Sequence, residues 1–256
     1  MAATTVTITA VPGIPLIEPG DDLAGILVDA LRAARIGLRD GDVVVVAQKV
    51  VSKAEGRYVE LKAVEPSPRA LELAARLKKD PRHVEAILAE STEVVRMREG
   101  LLITEHKLGH VMANAGIDQS NIEHPGGEER VLLLPKDPDG SCARLKAALD
   151  AAFGAQVAVV MNDSFGRPLR NGVVGVAVGA AGLPSLENLI GTLDLFGRPL
   201  RVTEVALADE IASAASMVMG QAGEARPVVH VRGLAWSGGA RPAADLVRPK
   251  ERDLFR

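Results

Sequence analysis

Four short stretches of the 256-residue chain gather side chains of the types that bind phosphate and divalent cations. In Gln48-Lys49-Val50-Val51-Ser52-Lys53-Ala54-Glu55-Gly56-Arg57, the cations Lys49, Lys53 and Arg57 recur every fourth residue. If the stretch turns helical they share one face, which either clamps phosphate oxygens or is an ordinary solvated basic surface. In Asn114-Ala115-Gly116-Ile117-Asp118-Gln119-Ser120-Asn121, Asp118 and Asn121 carry the hard oxygen donors that Mg²⁺ and Mn²⁺ accept. The same residues can simply bond their own backbone in a Gly-containing turn. Asn162-Asp163-Ser164-Phe165-Gly166-Arg167-Pro168-Leu169-Arg170-Asn171-Gly172 follows the strongest apolar run. Read as a loop, it joins metal donors, Asp163 and Ser164, to a phosphate clamp of Arg167 and Arg170. In the stretch from Val218 to Pro227, Gly220 or Gly223 is expected to end a helix, and Gln221 adds an amide oxygen beside backbone that a nucleotide can approach closely. No Gly-x-x-x-x-Gly-Lys-Ser/Thr pattern occurs, which excludes a P-loop.

The other reactive types add less. His83, His106, His110, His124 and His230 form no spaced metal pair and read as surface or capping residues. Cys142, the single cysteine, reads as a small core residue. Trp236, beside Ser237-Gly238-Gly239, either covers a flat heterocycle or packs.

These groups need a scaffold, and the hydrophobic period supplies one. Thr5 to Val11 predicts a strand running into the rigid Val-Pro-Gly-Ile-Pro loop, and Asp21 or Asp22 caps a helix reaching about Ile36. Asp42 to Val51, with four consecutive valines, predicts a strand buried on both faces, completing a β-α-β pattern. Ser67 to Lys79 and Pro81 to Ser91 predict a helical pair, each opening on proline. Val94 to Met112 predicts an antiparallel meander turning at Glu99-Gly100 and Leu108-Gly109. After a polar loop at His124 to Glu129 come a strand (Val131 to Pro135), a helix (Ser141 to Phe153), strands at Val157 to Met161 and Val173 to Ala181, a helix (Thr203 to Met219) and a last strand (Pro227 to Arg232). The mixture predicts a mixed α/β or α+β fold.

Composition bounds the function classes. The chain is 47% apolar and 25% charged, enough for a substantial core in one large domain or two small ones. A net charge of -3 does not suit a protein that coats nucleic acid or an anionic membrane, and 2% aromatics offer no row of base-stacking rings. One cysteine allows neither an internal disulfide nor a cysteine zinc cage, which fits a reducing cytoplasm. The start, Met-Ala-Ala-Thr-Thr-Val-Thr-Ile, lacks a basic segment followed by a long apolar run, and no stretch approaches the roughly 20 apolar residues of a membrane helix. No repeat and no Pro/Ser-rich linker divides the chain.

In order along the chain, Val-Pro-Gly-Ile-Pro, Val-Ser-Lys-Ala-Glu-Gly-Arg, Ala-Asn-Ala-Gly-Ile-Asp-Gln-Ser-Asn and Asn-Asp-Ser-Phe-Gly-Arg-Pro-Leu-Arg-Asn-Gly resemble the motifs of the coenzyme F(420)-0:gamma-L-glutamyl ligase family. Met-Gly-Gln and the closing Arg-Pro-Lys-Glu-Arg-Asp-Leu-Phe-Arg carry the resemblance to the end. It implies that Pro12, Gly13, Ile14, Pro15, Gln48, Lys49, Lys53, Asn121 and the run Met219, Gly220, Gln221, Ala222, Gly223, Glu224, Ala225 and Arg226 hold GTP. It implies two divalent ions, Mn²⁺ or Mg²⁺, on Asp118, Asp163, Ser164 and Gln221, with K⁺ as a further ion. It also implies an unusual fold of mixed sheets forming an intertwined homodimer, in one unit spanning 1–256 or two subdomains of it. Some relatives continue into a nitroreductase-like domain, which this sequence, ending at Arg256, is expected to lack.

The implied substrates are coenzyme F(420)-0, a phosphorylated deazaflavin bearing a three-carbon acid, L-glutamate and GTP. A carboxylate cannot be attacked by an amine while its leaving group is oxide, so GTP would first convert it to an acyl phosphate. The glutamate amine then displaces phosphate, with Asp163, Arg167 and Arg170 as the catalytic set. Rival readings are another nucleotide-dependent carboxylate-amine ligase, a metal-dependent phosphate-ester hydrolase and a non-catalytic deazaflavin-binding protein.

Overall fold

The computed structural model describes residues 4–254, so Met1-Ala2-Ala3 and the Phe255-Arg256 end of the closing motif lie outside the described residues. The first half runs β1 (Thr7–Ala10), α1 (Leu23–Ala33), β2 (Val43–Ala47), α2 (Gln48–Ala54), β3 (Tyr58–Glu60), α3 (Pro68–Leu77), α4 (Pro81–Ala89), β4 (Ser91–Arg98), β5 (Leu101–His106) and β6 (Val111–Ala113). The second half runs β7 (Arg130–Leu132), α5 (Pro138–Phe153), β8 (Ala158–Arg167), β9 (Arg170–Ala181), β10 (Glu187–Asn188), β11 (Glu204–Val205), α6 (Leu207–Met219) and β12 (Val228–Arg232). The fold class is the mixed α/β one that the sequence predicts.

Val43, Val44, Val45 and Val46 are fully buried, as a strand covered on both faces requires. That strand, β2, is the centre of a five-stranded sheet ordered β1-β12-β2-β8-β9. It runs parallel to β8, while the other neighbouring pairs are antiparallel. Successive valines point to opposite faces. Val44 and Val46 join Leu27 and Leu31 of α1 and Leu145 and Leu149 of α5 in one core. Val43 and Val45 join Ile211 and Ala215 of α6 in another. Helices therefore cover both faces of the sheet. Two glycines of β9 permit that cover to sit close: a Cβ on Gly175 would stand 2.4 Å from the Ala212 carbonyl oxygen of α6, and one on Gly179 2.6 Å from that of Pro138 in α5.

A third core lies apart from this sheet, built from Leu73 and Leu77 of α3, Val84 and Ile87 of α4, Leu102 of β5 and Val131 of β7. Both helices open as predicted, with proline in the first turn and Ser67 or Asp80 accepting a backbone N–H at the cap. Strands β4, β5 and β6 form the expected antiparallel meander, and β3 pairs with β7.

Several boundaries depart from the sequence reading. The strand expected over Asp42–Val51 stops at Ala47, and Gln48 begins a helix with no loop between; Val50 and Val51 stay buried because α2 folds the same apolar run back onto the first core. The opening has the expected β-α-β order, with β1 and β2 parallel, but it is split: β12 inserts between the two strands. Asp137 accepts the Gly140 N–H and starts α5 at Pro138, three residues early. Helix α6 starts late, at Leu207, because Glu204–Val205 pairs with β10 instead. Residues 162–172 are not a loop: β8 continues through Arg167 and returns as β9 from Arg170. His83, His106 and His230 are buried rather than on the surface, while Cys142 is in the core as expected and Trp236 packs against the α6 side of the sheet. Among the described residues no helix is long and apolar enough to cross a membrane.

Candidate active site

Strands β2 and β8 run parallel with Ala47 opposite Asn162, and β12 runs against them, so Ala47, Asn162 and Pro227 reach the same edge of the sheet. Ligands of open α/β sheets bind outside that edge. A cleft of about 510 Å³ opens there, walled by α2, the end of β8, the loop after α6, the loop at 14–17 and the segment at 118–121.

On the α2 wall, Lys49 and Lys53 are one helical turn apart and both line the cleft. Lys49 Nζ stands 3.1 Å from Asp118 Oδ1 and donates to Ser120 Oγ at 3.1 Å. Burial pushes the Lys53 ammonium below its ordinary range, with Glu123 pulling the other way. Arg57 does not complete the expected row. It lies beyond the end of α2, where its guanidinium turns inward to the Leu134 carbonyl and, at 2.8 Å, to Glu90. The buried Gln48 amide donates to Ser52 Oγ at 2.8 Å.

Two carboxylates face these lysines. Asp118 exchanges backbone hydrogen bonds with Leu132 of β7, and Asp163 rides on β8. Burial pushes Asp118 above the usual carboxylate range, against the pull of Lys49. Burial, reinforced by the negative charge of Asp118, pushes Asp163 up to about 7. The pair is short of positive charge.

The remaining wall is held by side-chain bonds. Ser164 Oγ donates to Gln221 Oε1 at 2.8 Å, and the Gln221 amide donates to Ser216 Oγ at 2.9 Å, which fixes its orientation. Gly220 ends α6 with φ +79° and ψ −179°, a conformation glycine alone adopts readily. The next turn closes through the Ala222 N–H, which Glu224 accepts at 2.8 Å. Asn121 spans the cleft mouth, its amide donating to the Ala222 carbonyl at 3.1 Å.

Of the residues singled out in the sequence, Ile14, Pro15, Gln48, Lys49, Lys53, Asp118, Asn121, Asp163, Ser164 and the run from Met219 to Arg226 all line this one cleft. Pro12 and Gly13 lie outside the lining, as do Arg167 and Arg170 at the far end of the β8–β9 hairpin. Ser120 and Asn162 line it too. Both stand inside the quoted motifs; the pairing of β8 with β2 places Asn162, and the bond from Lys49 holds Ser120.

Among the described residues no three of His, Cys, Asp and Glu come together as a metal cage. A cation here would rest on two carboxylates, on the neutral oxygens of Ser164 and Gln221, and on oxygens of its own ligand, which is how Mg²⁺ is commonly held. The donor set fits: Asp118 Oδ2, Gln48 Oε1 and Asn162 Oδ1 are buried acceptors without a hydrogen-bond partner. A cation or a donor-rich ligand would satisfy them.

Fold and site together define an α/β protein whose acid-rich, lysine-flanked cleft is suited to cations and phosphates. Comparison with known proteins narrows the class. A family model described as F(420)-0:gamma-glutamyl ligase matches residues 13–233. The chain is 46% identical over 256 residues to the coenzyme F(420):L-glutamate ligase of Methanothermobacter thermautotrophicus, covering 98% of this chain and 99% of that one. It is 46% identical to the protein of the same name from Methanopyrus kandleri, covering 98% of each, and 49% identical over 229 residues to that of Halobacterium salinarum, covering 87% of this chain and 85% of the relative. The chain belongs to the F(420)-0:gamma-glutamyl ligase family.

Proposed function

We propose that the protein joins L-glutamate to the carboxylate of coenzyme F(420)-0 at the expense of GTP and then adds further gamma-linked glutamates, acting in the cytoplasm. The observation that carries this reading is the convergence of Lys49, Lys53, Asp118, Asp163, Ser164 and Gln221, from four separate segments, on one cleft at the edge of the sheet. GTP lies along Ile14, Pro15, Gln48 and the loop from Met219 to Arg226, with Lys49 and Lys53 neutralising its phosphates. Asp118, Asp163, Ser164 and Gln221 would hold two divalent ions, Mn²⁺ or Mg²⁺, with K⁺ nearby, and such ions when bound supply charge neutralisation between carboxylate and triphosphate. The acceptor carboxylate takes the γ-phosphoryl group, and the glutamate amine displaces it as phosphate. Bound substrates would displace water from the cleft, which would otherwise hydrolyse the acyl phosphate.

A homodimer belongs to the same reading. The segment at 190–202 exposes Leu193, Leu195, Phe196 and Val202 by 64, 99, 82 and 84%. An apolar arm of that kind suits burial in an intertwined partner. A monomeric mass by light scattering at micromolar concentration would refute this part.

The decisive experiment incubates the protein with F(420)-0, GTP, Mn²⁺ and glutamate and follows the products by mass spectrometry. The expected result is glutamate-dependent GDP release with an acceptor heavier by one or more glutamyl units. Phosphate release without glutamate, and an unaltered acceptor, would point to a hydrolase instead.

A further inference from the structure

We propose that the end of the β8–β9 hairpin is a second anion site, where Arg167 and Arg170 grip the phosphate that the acceptor carries beyond the reacting cleft. The proposal deepens the ligase reading and rests on it for the identity of the acceptor.

Arg167 and Arg170 are direct partners in the β8–β9 ladder, on either side of the Pro168-Leu169 turn. Side chains so opposed stand about 4.5–5.5 Å apart at Cβ, where like charges repel. Neither arginine has an ion pair among the described residues. Arg167 Nη2 donates to the Asn171 carbonyl at 2.8 Å, while its Nε is buried without an acceptor. The turn between them holds Leu169 at φ +61° with its side chain 93% exposed, in a conformation that favours glycine. Two arginines without ion pairs, set opposite each other across a strained turn, are an arrangement that an oxyanion relieves.

The position of the pair selects the anion. Exposure alternates along β8, so that Asp163, Phe165 and Arg167 are half-buried on one face while Ser164, which also borders the cleft, and Gly166 are exposed on the other. Asp163 lines the cleft, and Arg167 follows four residues later, about 13 Å away along the strand at 3.3 Å per residue. The arginines are therefore beyond the triphosphate that Lys49 and Lys53 face, even though their long stems can lean back over part of the gap. Between the two ends Phe165 offers an apolar step, its ring braced edge-on by His110 at 5.7 Å between centroids. A ligand on this face presents one anion to the cleft and a second to the hairpin end. An acceptor whose reacting carboxylate sits one short carbon unit from a phosphodiester has that form.

The test uses the full chain with Arg167→Gln, Arg170→Gln and the double variant. The KM values for F(420)-0 and GTP are measured, together with F(420)-0 affinity in equilibrium dialysis without GTP. Each single variant is expected to weaken F(420)-0 in both assays about tenfold or more, the scale of a lost charge-assisted contact, and the double variant to weaken it further. The KM for GTP stays within about twofold, and Arg170→Lys recovers part of the loss because the charge remains while the fork does not. Unchanged F(420)-0 affinity overturns the proposal, and so does a rise in the GTP KM in its place, which would assign the pair to the nucleotide. Should wild type bind F(420)-0 without ligating it, the cleft reading fails while dialysis still decides the clamp; absence of binding by wild type overturns the clamp itself. If Arg167→Gln does not fold, the exposed Arg170→Gln decides alone.

Discussion

Replacing Asp163 by Asn removes a charge while keeping shape, including the 2.7 Å bond that Oδ1 accepts from the Ser164 N–H. The cleft moves this carboxyl from the usual 3.8 up to about 7. At 1.36 kcal/mol per pH unit, holding it ionised in the folded chain costs about 4 kcal/mol, or about 2 kcal/mol once solvent screening of the partly exposed group is allowed for. A raised value means that the stability linked to this group is fully present below about pH 4 and lost as pH rises through about 7. Asn carries no such loss. In EDTA at pH 7 the variant should therefore be the more stable protein by about 2 kcal/mol, a Tm higher by about 4–8 °C for a chain of this size, with the advantage gone near pH 4. Mn²⁺ should raise the Tm of wild type and not of the variant, and ligation should fall at least about a hundredfold, the scale of a lost electrostatic contact to the transition state. Calorimetry with and without EDTA, beside mass-spectrometric turnover, reads all three effects. A variant less stable than wild type in EDTA, or turning over within a few-fold of it at saturating Mn²⁺, would refute the reasoning.

Lys49→Ala and Lys53→Ala should each raise the KM for GTP by about tenfold to a hundredfold, read by steady-state kinetics, because each removes a charge-assisted phosphate contact of roughly 1.5–3 kcal/mol. Asp42 is buried and accepts from Arg232 at 2.6 and 2.8 Å and from the Arg39 N–H at 2.9 Å, with His230 Nε2 3.0 Å away; Asp42→Ala should cost about 1–3 kcal/mol in denaturant unfolding by leaving these donors without their acceptor. Burial alone would raise the Asp42 carboxyl, but the bonds from Arg232, His230 and Arg39 outweigh it and hold it below the ordinary 3.8. Its stabilisation is thus present above about pH 4 and lost as pH falls through the lower folded value, and Asp42→Asn should flatten that acid limb of the stability curve. Gly175→Ala should destabilise by about 1–3 kcal/mol, measured the same way, since the new methyl would meet the Ala212 carbonyl oxygen and Asn162 Oδ1.

The parts of the fold legible in the sequence were those governed by local period and capping. The valine run at 43–46, the proline-opened helices at 68 and 81 and the glycine stop at Gly220 each carry their own signal. The hairpin of β8 and β9 did not, because Asn162, Asp163, Ser164 and Gly166 are turn formers by type. What holds them extended is the neighbouring ladder, from Asn162 paired with Ala177 to Gly166 paired with Val173, and no local propensity reports that. The same limit misplaced the arginines: two cations four and seven residues from an aspartate look adjacent in a loop but are far apart on a hairpin. Arg57 failed for the opposite reason, since the helix that would have aligned it with Lys53 ends at Ala54. The cleft residues themselves were legible as types, whereas the pairing of Asp118 with Leu132, which carries the 118–121 segment to the sheet edge, has no sequence signature.

The hydrogen bond from Asn121 to the Ala222 carbonyl sets how the cleft admits its ligand. It joins two segments far apart in sequence across an exposed mouth, and Asn121 is held at φ +57° to make it. A single solvent-exposed bond of this kind contributes about 1 kcal/mol, so with RT near 0.59 kcal/mol the mouth stands unlatched roughly one-sixth of the time. A ligand arriving by diffusion then meets an open entrance in about one encounter of six, which slows association about sixfold. By microscopic reversibility the same latch slows departure by the same factor, so it lengthens the residence of a bound ligand without changing its affinity.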